Sequence, residues 1–168
     1  MIYLDYTANT PADPDVLDAY LAAERRYIAN PNSTHIAGQE ARAEMERVTQ
    51  SIAQHLGVQP AEIIYTSGAS EANNLALKGI AHASRHIGKH IISTQLEHSS
   101  VGVSLSALQQ QGYEIDLLDI GRDGRVDLDQ LPELARHDTI LVPACAVDSA
   151  LGPNQPHRGV PGHVHTYH

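Results

Sequence analysis

The chain has 168 residues, of which 42% are hydrophobic, and a formal net charge of −9 with an isoelectric point near 5.5. This acidic balance argues against nucleic acid as a partner, because neutralising phosphates requires clustered lysine and arginine. No apolar run approaches the roughly 20 residues of a membrane span, which argues against a membrane partner. The single cysteine, Cys145, excludes an internal disulfide bond. Together with a start that lacks a secretory leader, this predicts a cytoplasmic location.

The length predicts a single domain over residues 1–168, beginning with an extended arm over residues 1–12. Asp13 followed by Pro14 is typical of a helix N-cap and first helical residue, and we expect this helix to end near Tyr27. Apolar residues at helical spacing predict a second helix over residues 36–56, with Gly57 as its C-cap.

Short apolar strands alternate with helices in the rest of the chain. We expect the helices at about 70–86, 99–111 and 127–136, and the strands at Ile63–Thr66, His90–Thr94, Glu114–Leu118 and Thr139–Ala144. Such alternation predicts a parallel sheet with crossover helices. The tail over residues 152–168 is rich in histidine, proline and glycine and has no helical pattern.

The run from Ile63 to Leu77 is typical of a strand, a tight turn and a helix start. Gly68 permits a backbone conformation that a side chain would hinder, and Ala69, Ser70 and Glu71 then open a helix. The unpaired N–H groups and positive dipole end of such a helix favour an anion, so the run predicts a phosphate site. A simple connection without a ligand is the alternative, and Glu71 is expected to stabilise the helix rather than act as a base.

Several motifs occur in an order and spacing that resemble one family. They are Tyr3-Leu4-Asp5-Tyr6-Thr7-Ala8, Thr10-Pro11, Asn30-Pro31-Asn32-Ser33 with His35 and Gly38, Thr66-Ser67-Gly68-Ala69-Ser70-Glu71 with Asn73-Asn74-Leu75, and Glu97-His98-Ser99. The chain resembles the cysteine desulfurases, which belong to the class V aminotransferase group of fold-type-I pyridoxal-phosphate (PLP) enzymes. This resemblance implies an α/β fold over residues 13–151, a three-layer α/β/α sandwich with a mostly parallel, incomplete sheet like the large domain of those enzymes.

The resemblance also implies roles for individual residues. Ala69 and Ser70 would bind the phosphate of PLP, and His98 would stack on the pyridine ring and relay protons as the catalytic residue. Asn30 to His35 would lie near the active site and a dimer interface. The remaining cofactor-binding positions differ from the family: Ser149 replaces an Asn, His165 replaces the Asp that holds the pyridine nitrogen, and His168 replaces a Gln.

The lysine and the nucleophilic cysteine of the family lie downstream of the matched region. Lys78 and Lys89 are expected at the surface, and Cys145 is expected to be a small core residue. A neutral His165 would stabilise a protonated pyridine ring much less than a carboxylate. We therefore expect a truncated or degenerate cysteine-desulfurase-like chain that shows no turnover alone and does not bind PLP covalently.

Two other functions remain open from the sequence. The chain could be half of a split PLP enzyme that another polypeptide completes. It could also be a repurposed module that binds phosphates, or zinc or another divalent transition metal, with His98, His163, His165 and His168 as candidate ligands. The partners that the resemblance implies are a second copy in a homodimer and a sulfur-acceptor protein.

Overall fold

The computed structural model describes residues 2–6, 8–147, 152, 154 and 155. The chain divides into two compact units, one ending at Tyr65 and the other beginning at Thr66. The assignment of residues 1–168 to one domain stays a prediction. Within the described ranges, no helix has both the length and the apolar character needed to cross a bilayer.

The first unit contains two long helices, α1 at Pro14–Arg26 and α2 at Ile36–Leu56. Asp13 caps α1, since its side chain accepts a hydrogen bond from the Asp15 N–H at 2.9 Å. Gly57 ends α2 in the left-handed conformation, with φ of 71°, which glycine adopts without strain. Both helices and both caps agree with the sequence prediction because the signals that set them are local.

The loop between the two helices packs closely against the first turn of α2. A side chain at Gly38 would place its Cβ 2.6 Å from the Ser33 carbonyl oxygen and 2.9 Å from that of Asn30, so the approach requires glycine. His35 caps the helix, and its Nδ1 accepts from the Gly38 N–H at 3.2 Å. The motif Asn30–His35 therefore has a defined conformation within this unit, and its place near an active site stays a prediction.

The second unit contains a three-stranded parallel sheet and three helices. The helices are α3 at Ala69–Ala83, α4 at Ser99–Gln109 and the short α5 at Leu131–Leu134, and the strands are β1 at His90–Thr94, β2 at Glu114–Leu118 and β3 at Thr139–Leu141. The strand order is β2-β1-β3, and both pairings are parallel. In this register His90 lies between Glu114 and Thr139.

Helices cover both faces of this sheet. Ile91 of β1 faces one side, where α3 and α4 contribute buried Leu77 and Leu108. Its neighbour Ile92 faces the other side and packs with Leu131 and other apolar residues between 118 and 142, because successive strand side chains alternate in direction. The three layers of the predicted α/β/α sandwich are thus present, and the small parallel sheet confirms the predicted fold class.

Three predicted elements differ from the structure, and one of them is the strand predicted at Thr139–Ala144, which ends at Leu141. Residues Ile63–Thr66 belong to no strand among the described residues, although Ile63 itself is extended. Ile64 is 69% exposed, and β-forming side chains do not make a strand without a hydrogen-bonded neighbour. The helix predicted at 127–136 is instead a 3-10 turn at Leu128–Gln130 followed by α5. Pro132 explains this break, because a proline inside a helix removes a hydrogen bond and clashes with the preceding turn.

Candidate phosphate and cofactor site

The predicted phosphate turn lies at the N-terminus of α3. Gly68 is extended, with φ of 163° and ψ of 177°, and no described atom lies within 4 Å of the position that its Cβ would occupy. No acceptor within the described part of the chain contacts the N–H groups of Ala69 and Ser70. The first turn of a fifteen-residue helix is therefore open to solvent, with unpaired donors and the positive end of the helix dipole.

The side chain of Glu71 forms hydrogen bonds within the same turn. Oε2 of Glu71 accepts hydrogen bonds from the Ser67 hydroxyl at 2.7 Å and from the Ser67 N–H at 2.6 Å. These two donors, the hydroxyl above all, lower the pKa of Glu71 below the ordinary range for a glutamate. Glu71 thus accepts a hydrogen bond from the N–H of Ser67 but from neither the N–H of Ala69 nor that of Ser70. The contact stabilises the turn, and the expectation that Glu71 is not a base stays a prediction.

We expect Ser67→Ala to raise the pKa of Glu71 toward its ordinary value while keeping it somewhat lowered, because the hydroxyl donor is lost and the backbone donor remains. The folded pKa is lowered, so the contact is complete above the unfolded pKa and is lost as the pH falls through the folded value. In Ser67→Ala the remaining contact between the Glu71 carboxylate and the Ser67 N–H is therefore lost at a higher pH than in the parent chain. A carbon-detected NMR titration of the Glu71 carboxyl group measures this change.

Ser70→Ala is the matched control for that titration, because the Ser70 hydroxyl makes no hydrogen bond to Glu71 in the described residues. It should leave the pKa of Glu71 unchanged. A pKa of Glu71 that is the same in Ser67→Ala and in the parent chain would contradict the assigned contact.

His98 lies at the carboxyl end of the sheet, where it caps the N-terminus of α4. Its Nδ1 accepts from the Ser100 N–H at 3.2 Å and lies 2.9 Å from the Ser100 hydroxyl oxygen. That hydroxyl in turn accepts from Nδ2 of Asn73 at 2.8 Å. Because Nδ1 accepts from Ser100, the neutral ring carries its proton on Nε2. His98 is an exposed residue and its Nε2 makes no hydrogen bond among the described residues, so this nitrogen is available to a ligand.

The bond between Asn73 and Ser100 joins α3 to α4 near their N-termini. Asn73 lies one helical turn after Ala69, so the open amides of α3 and the His98 loop occupy the same end of the second unit. The structure thus brings together Ala69, Ser70 and His98, three of the six predicted cofactor-binding residues. Sequence reasoning missed Asn73 and Ser100, although the position of His98 directly before the helix start at Ser99 is an N-cap signal.

A sequence model of the family Aminotransferase class-V matches residues 2–168. The chain belongs to the class-V aminotransferase family. It is similar to human cysteine desulfurase, with 43% identity over 156 residues that cover 92% of this chain and 34% of the relative. The mitochondrial cysteine desulfurase of Arabidopsis thaliana is 44% identical over the same shares of each chain. The chain spans about a third of the length of these curated relatives.

Solved structures of the family have the same fold. A NifS-like protein superposes with a TM-score of 0.88 at 35% identity, covering 92% of this chain and 43% of that structure. The DndA protein of Streptomyces lividans gives a TM-score of 0.79 at 36% identity, covering 92% and 44%. The class-V aminotransferase fold of this chain is therefore that of fold-type-I PLP enzymes.

Class-V aminotransferases and cysteine desulfurases use PLP as their cofactor. The described residues of this chain fit the phosphate and one face of the ring of PLP. The phosphate fits the α3 N-terminus, because unpaired N–H groups, an exposed serine hydroxyl and a missing Cβ at Gly68 leave both donors and space. The flat ring fits beside the exposed imidazole of His98. Ser149, His163, His165 and His168 lie outside the described residues, so the partners predicted for the ring nitrogen and hydroxyl stay predictions.

Neither lysine of the chain lies at the open turn. Lys78 is half-buried rather than exposed as expected, and its Nζ donates to Oδ1 of Asn74 at 2.6 Å. It follows Ala69 by nine residues, which corresponds to about 13 Å along the helix. Lys89 is exposed at the amino end of β1, with its Nζ 5.5 Å from the centre of the Tyr113 ring. His98 follows the opposite end of that strand.

The alternative metal site has no counterpart among the described residues. Within residues 2–6 and 8–147, no group of three or more histidine, cysteine, aspartate or glutamate side chains is arranged to hold a metal ion. The remaining candidate ligands, His163, His165 and His168, are in the part of the tail that the structure does not describe. Zinc binding there stays a prediction.

Proposed function

We propose that residues 1–168 form the cofactor-phosphate part of a cysteine desulfurase, and that they bind PLP without a covalent bond and without turnover on their own. The observation that carries this proposal is the open N-terminus of α3, where the N–H groups of Ala69 and Ser70 contact no acceptor among the described residues. Its support is the 43% identity to human cysteine desulfurase and the 0.88 TM-score to a NifS-like protein.

In this proposal the amides of Ala69 and Ser70 and the Ser70 hydroxyl bind the phosphate oxygens. The helix dipole adds to these contacts, as it does for other phosphates bound at helix N-termini. His98 lies against one face of the ring and holds a proton on Nε2, because Ser100 occupies its Nδ1. When bound, PLP supplies an electron sink for bonds broken at the substrate α-carbon.

Release of sulfur from L-cysteine, with alanine and an enzyme persulfide as products, is proposed only for a complete desulfurase. It needs a covalently bound lysine and a nucleophilic cysteine. Lys78 and Lys89 lie far from the α3 N-terminus, so residues 1–168 alone should form no lysine adduct. Cys145 is half-buried rather than a core residue as expected; its N–H donates to Oε1 of Glu97, and its Sγ lies 3.9 Å from the Leu96 carbonyl oxygen. Glu97 is acidic, whereas an activated thiolate needs a positively charged environment. We do not assign it the nucleophile role.

The proposal is tested by titrating the purified chain with PLP and, in parallel, with pyridoxal, which lacks the phosphate. We expect saturable binding of PLP with a raised thermal midpoint, and at least 10-fold weaker binding of pyridoxal. Ser70→Ala should weaken PLP binding about 10-fold, since one hydrogen bond to a charged group is lost. Ser106→Ala, on an exposed part of α4, is the matched serine control and should bind PLP like the parent chain.

Two outcomes would contradict this function. Equal affinity for PLP and pyridoxal would mean that the phosphate is not bound by the turn. A borohydride-reduced adduct mapped to Lys78 or Lys89 would show covalent chemistry that the positions of these residues do not support.

The partners and the cellular location of this chain are also proposals. We propose that the chain forms a homodimer and, within a complete desulfurase, passes sulfur to an acceptor protein. The cytoplasmic location is proposed from the sequence alone, and some relatives, such as the cysteine desulfurase of Arabidopsis thaliana, are named mitochondrial.

A further inference from the structure

Two chain segments meet at the carboxyl edge of the sheet. One is the loop after β1, which carries Glu97 and His98, and the other follows β3 and carries Cys145. The ladder between these strands is short and irregular, since His90 pairs with Thr139 but Ile91 pairs with Leu141. β3 ends at Leu141, four residues before Cys145. Contacts other than the regular ladder must therefore position the second segment.

The side chain of Glu97 joins the two segments. Its Oε1 accepts one hydrogen bond from the Thr94 hydroxyl at 2.9 Å and another from the Cys145 N–H at 2.8 Å. The Thr94 oxygen also accepts from the Leu96 N–H at 3.2 Å, which closes the turn after β1. Thr94 is buried and Glu97 is half-buried. Hydrogen bonds to a carboxylate are stronger than those between neutral groups, and partial burial protects them from water.

The side chains of Glu97 and His98, which are neighbours in the loop after β1, contact different parts of the second unit. Glu97 contacts the segment after β3, whereas His98 contacts Ser100 of α4. The loop is thereby fixed on two sides, and both contacts are made by side chains that follow β1 directly.

We propose that Glu97 is a positioning residue that holds the segment after β3 against the His98 loop. This inference rests on the proposed function in one respect only: the resemblance places Ser149, further along the same segment, beside the cofactor ring. Glu97 would then set the position of the segment that carries Cys145 relative to His98. Its contacts with Thr94 and Cys145 do not depend on a bound cofactor.

The test is amide hydrogen exchange of the full chain without PLP, read at the Cys145 N–H by NMR. In Glu97→Ala this N–H loses its acceptor, and we expect its exchange rate to rise about 10-fold or more. In Glu97→Gln the amide oxygen still accepts both bonds, so exchange should remain within about 3-fold of the parent chain. Glu133→Ala, at an exposed residue of α5, is the control and should leave the rate at Cys145 unchanged.

Glu97→Asp provides a second variant if Glu97→Ala fails to fold, because its shorter side chain cannot reach both donors and should give fast exchange at Cys145. Once PLP is added, the visible circular dichroism of the bound cofactor should weaken in Glu97→Ala and return in Glu97→Gln. Unchanged exchange in Glu97→Ala and Glu97→Asp, or fast exchange in Glu97→Gln, would overturn the inference. Slow exchange in the parent chain together with no PLP binding would overturn the proposed function and leave the role of Glu97 in the fold intact.

Discussion

Gly88→Ala is expected to lower the free energy of unfolding by about 3 kcal/mol, because added volume at a packed backbone forces the structure to shift. A Cβ on Gly88 would overlap the carbonyl group and Cα of Asp138. The Asp138 carbonyl also accepts from the His90 N–H at 3.2 Å, so moving it disturbs the start of both β1 and β3. Denaturant unfolding followed by circular dichroism measures the loss.

Gly79→Ala is the matched control, since Gly79 lies inside α3 with no described atom within 4 Å of its Cβ position. Replacing a helical glycine with alanine there should raise the free energy of unfolding by up to about 1 kcal/mol. The two substitutions add the same methyl group and should have effects of opposite sign. A Gly88→Ala chain as stable as the parent would mean that Asp138 does not approach Gly88 in solution.

His90→Ala is expected to cost about 3 kcal/mol of unfolding free energy, from a buried cavity and two lost hydrogen bonds. The His90 side chain is fully buried and joins all three strands. Its Nδ1 lies 2.7 Å from the Thr139 hydroxyl on β3, and its Nε2 lies 3.0 Å from Oδ2 of Asp116 on β2. Removing the ring leaves the Thr139 hydroxyl with its Arg136 N–H donor alone.

His82→Ala tests the same residue type at an exposed position of α3 and should change the free energy of unfolding by less than about 0.5 kcal/mol. Thermal and denaturant unfolding of both variants provide the comparison. Equal stability of the two variants would show that the ring of His90 does not join the strands as described.

Local signals explain how much of the fold could be predicted. The bounds of α2 and the strands β1 and β2 follow from caps and from short apolar runs, and they agree with the sequence prediction. Ile63–Thr66 has equally good β-forming residues, but a strand also needs a hydrogen-bonded neighbour, which residue types alone do not reveal. Pro132 interrupts the helix that is predicted at 127–136, and the effect of a proline on a helix is also local.

In the candidate site too, features set by adjacent residues could be predicted, whereas contacts between distant residues could not. Gly68, Ala69 and Ser70 are adjacent in the chain, so their turn and open amides could be predicted from local sequence. The bond from Asn73 to Ser100 joins residues 27 positions apart, and that from Glu97 to Cys145 joins residues 48 apart. These contacts depend on how α3, α4 and the strands pack, and they could be found only in the structure.

The central claim is that the N-terminus of α3 binds the phosphate of PLP. It is tested most directly by NMR spectra of the amide-labelled chain, recorded as PLP and, separately, inorganic phosphate are added. We expect the amide signals of Ala69 and Ser70 to shift with both ligands and to saturate at lower concentrations of PLP than of inorganic phosphate. Shifts that spare these two amides while other signals respond to PLP would contradict it.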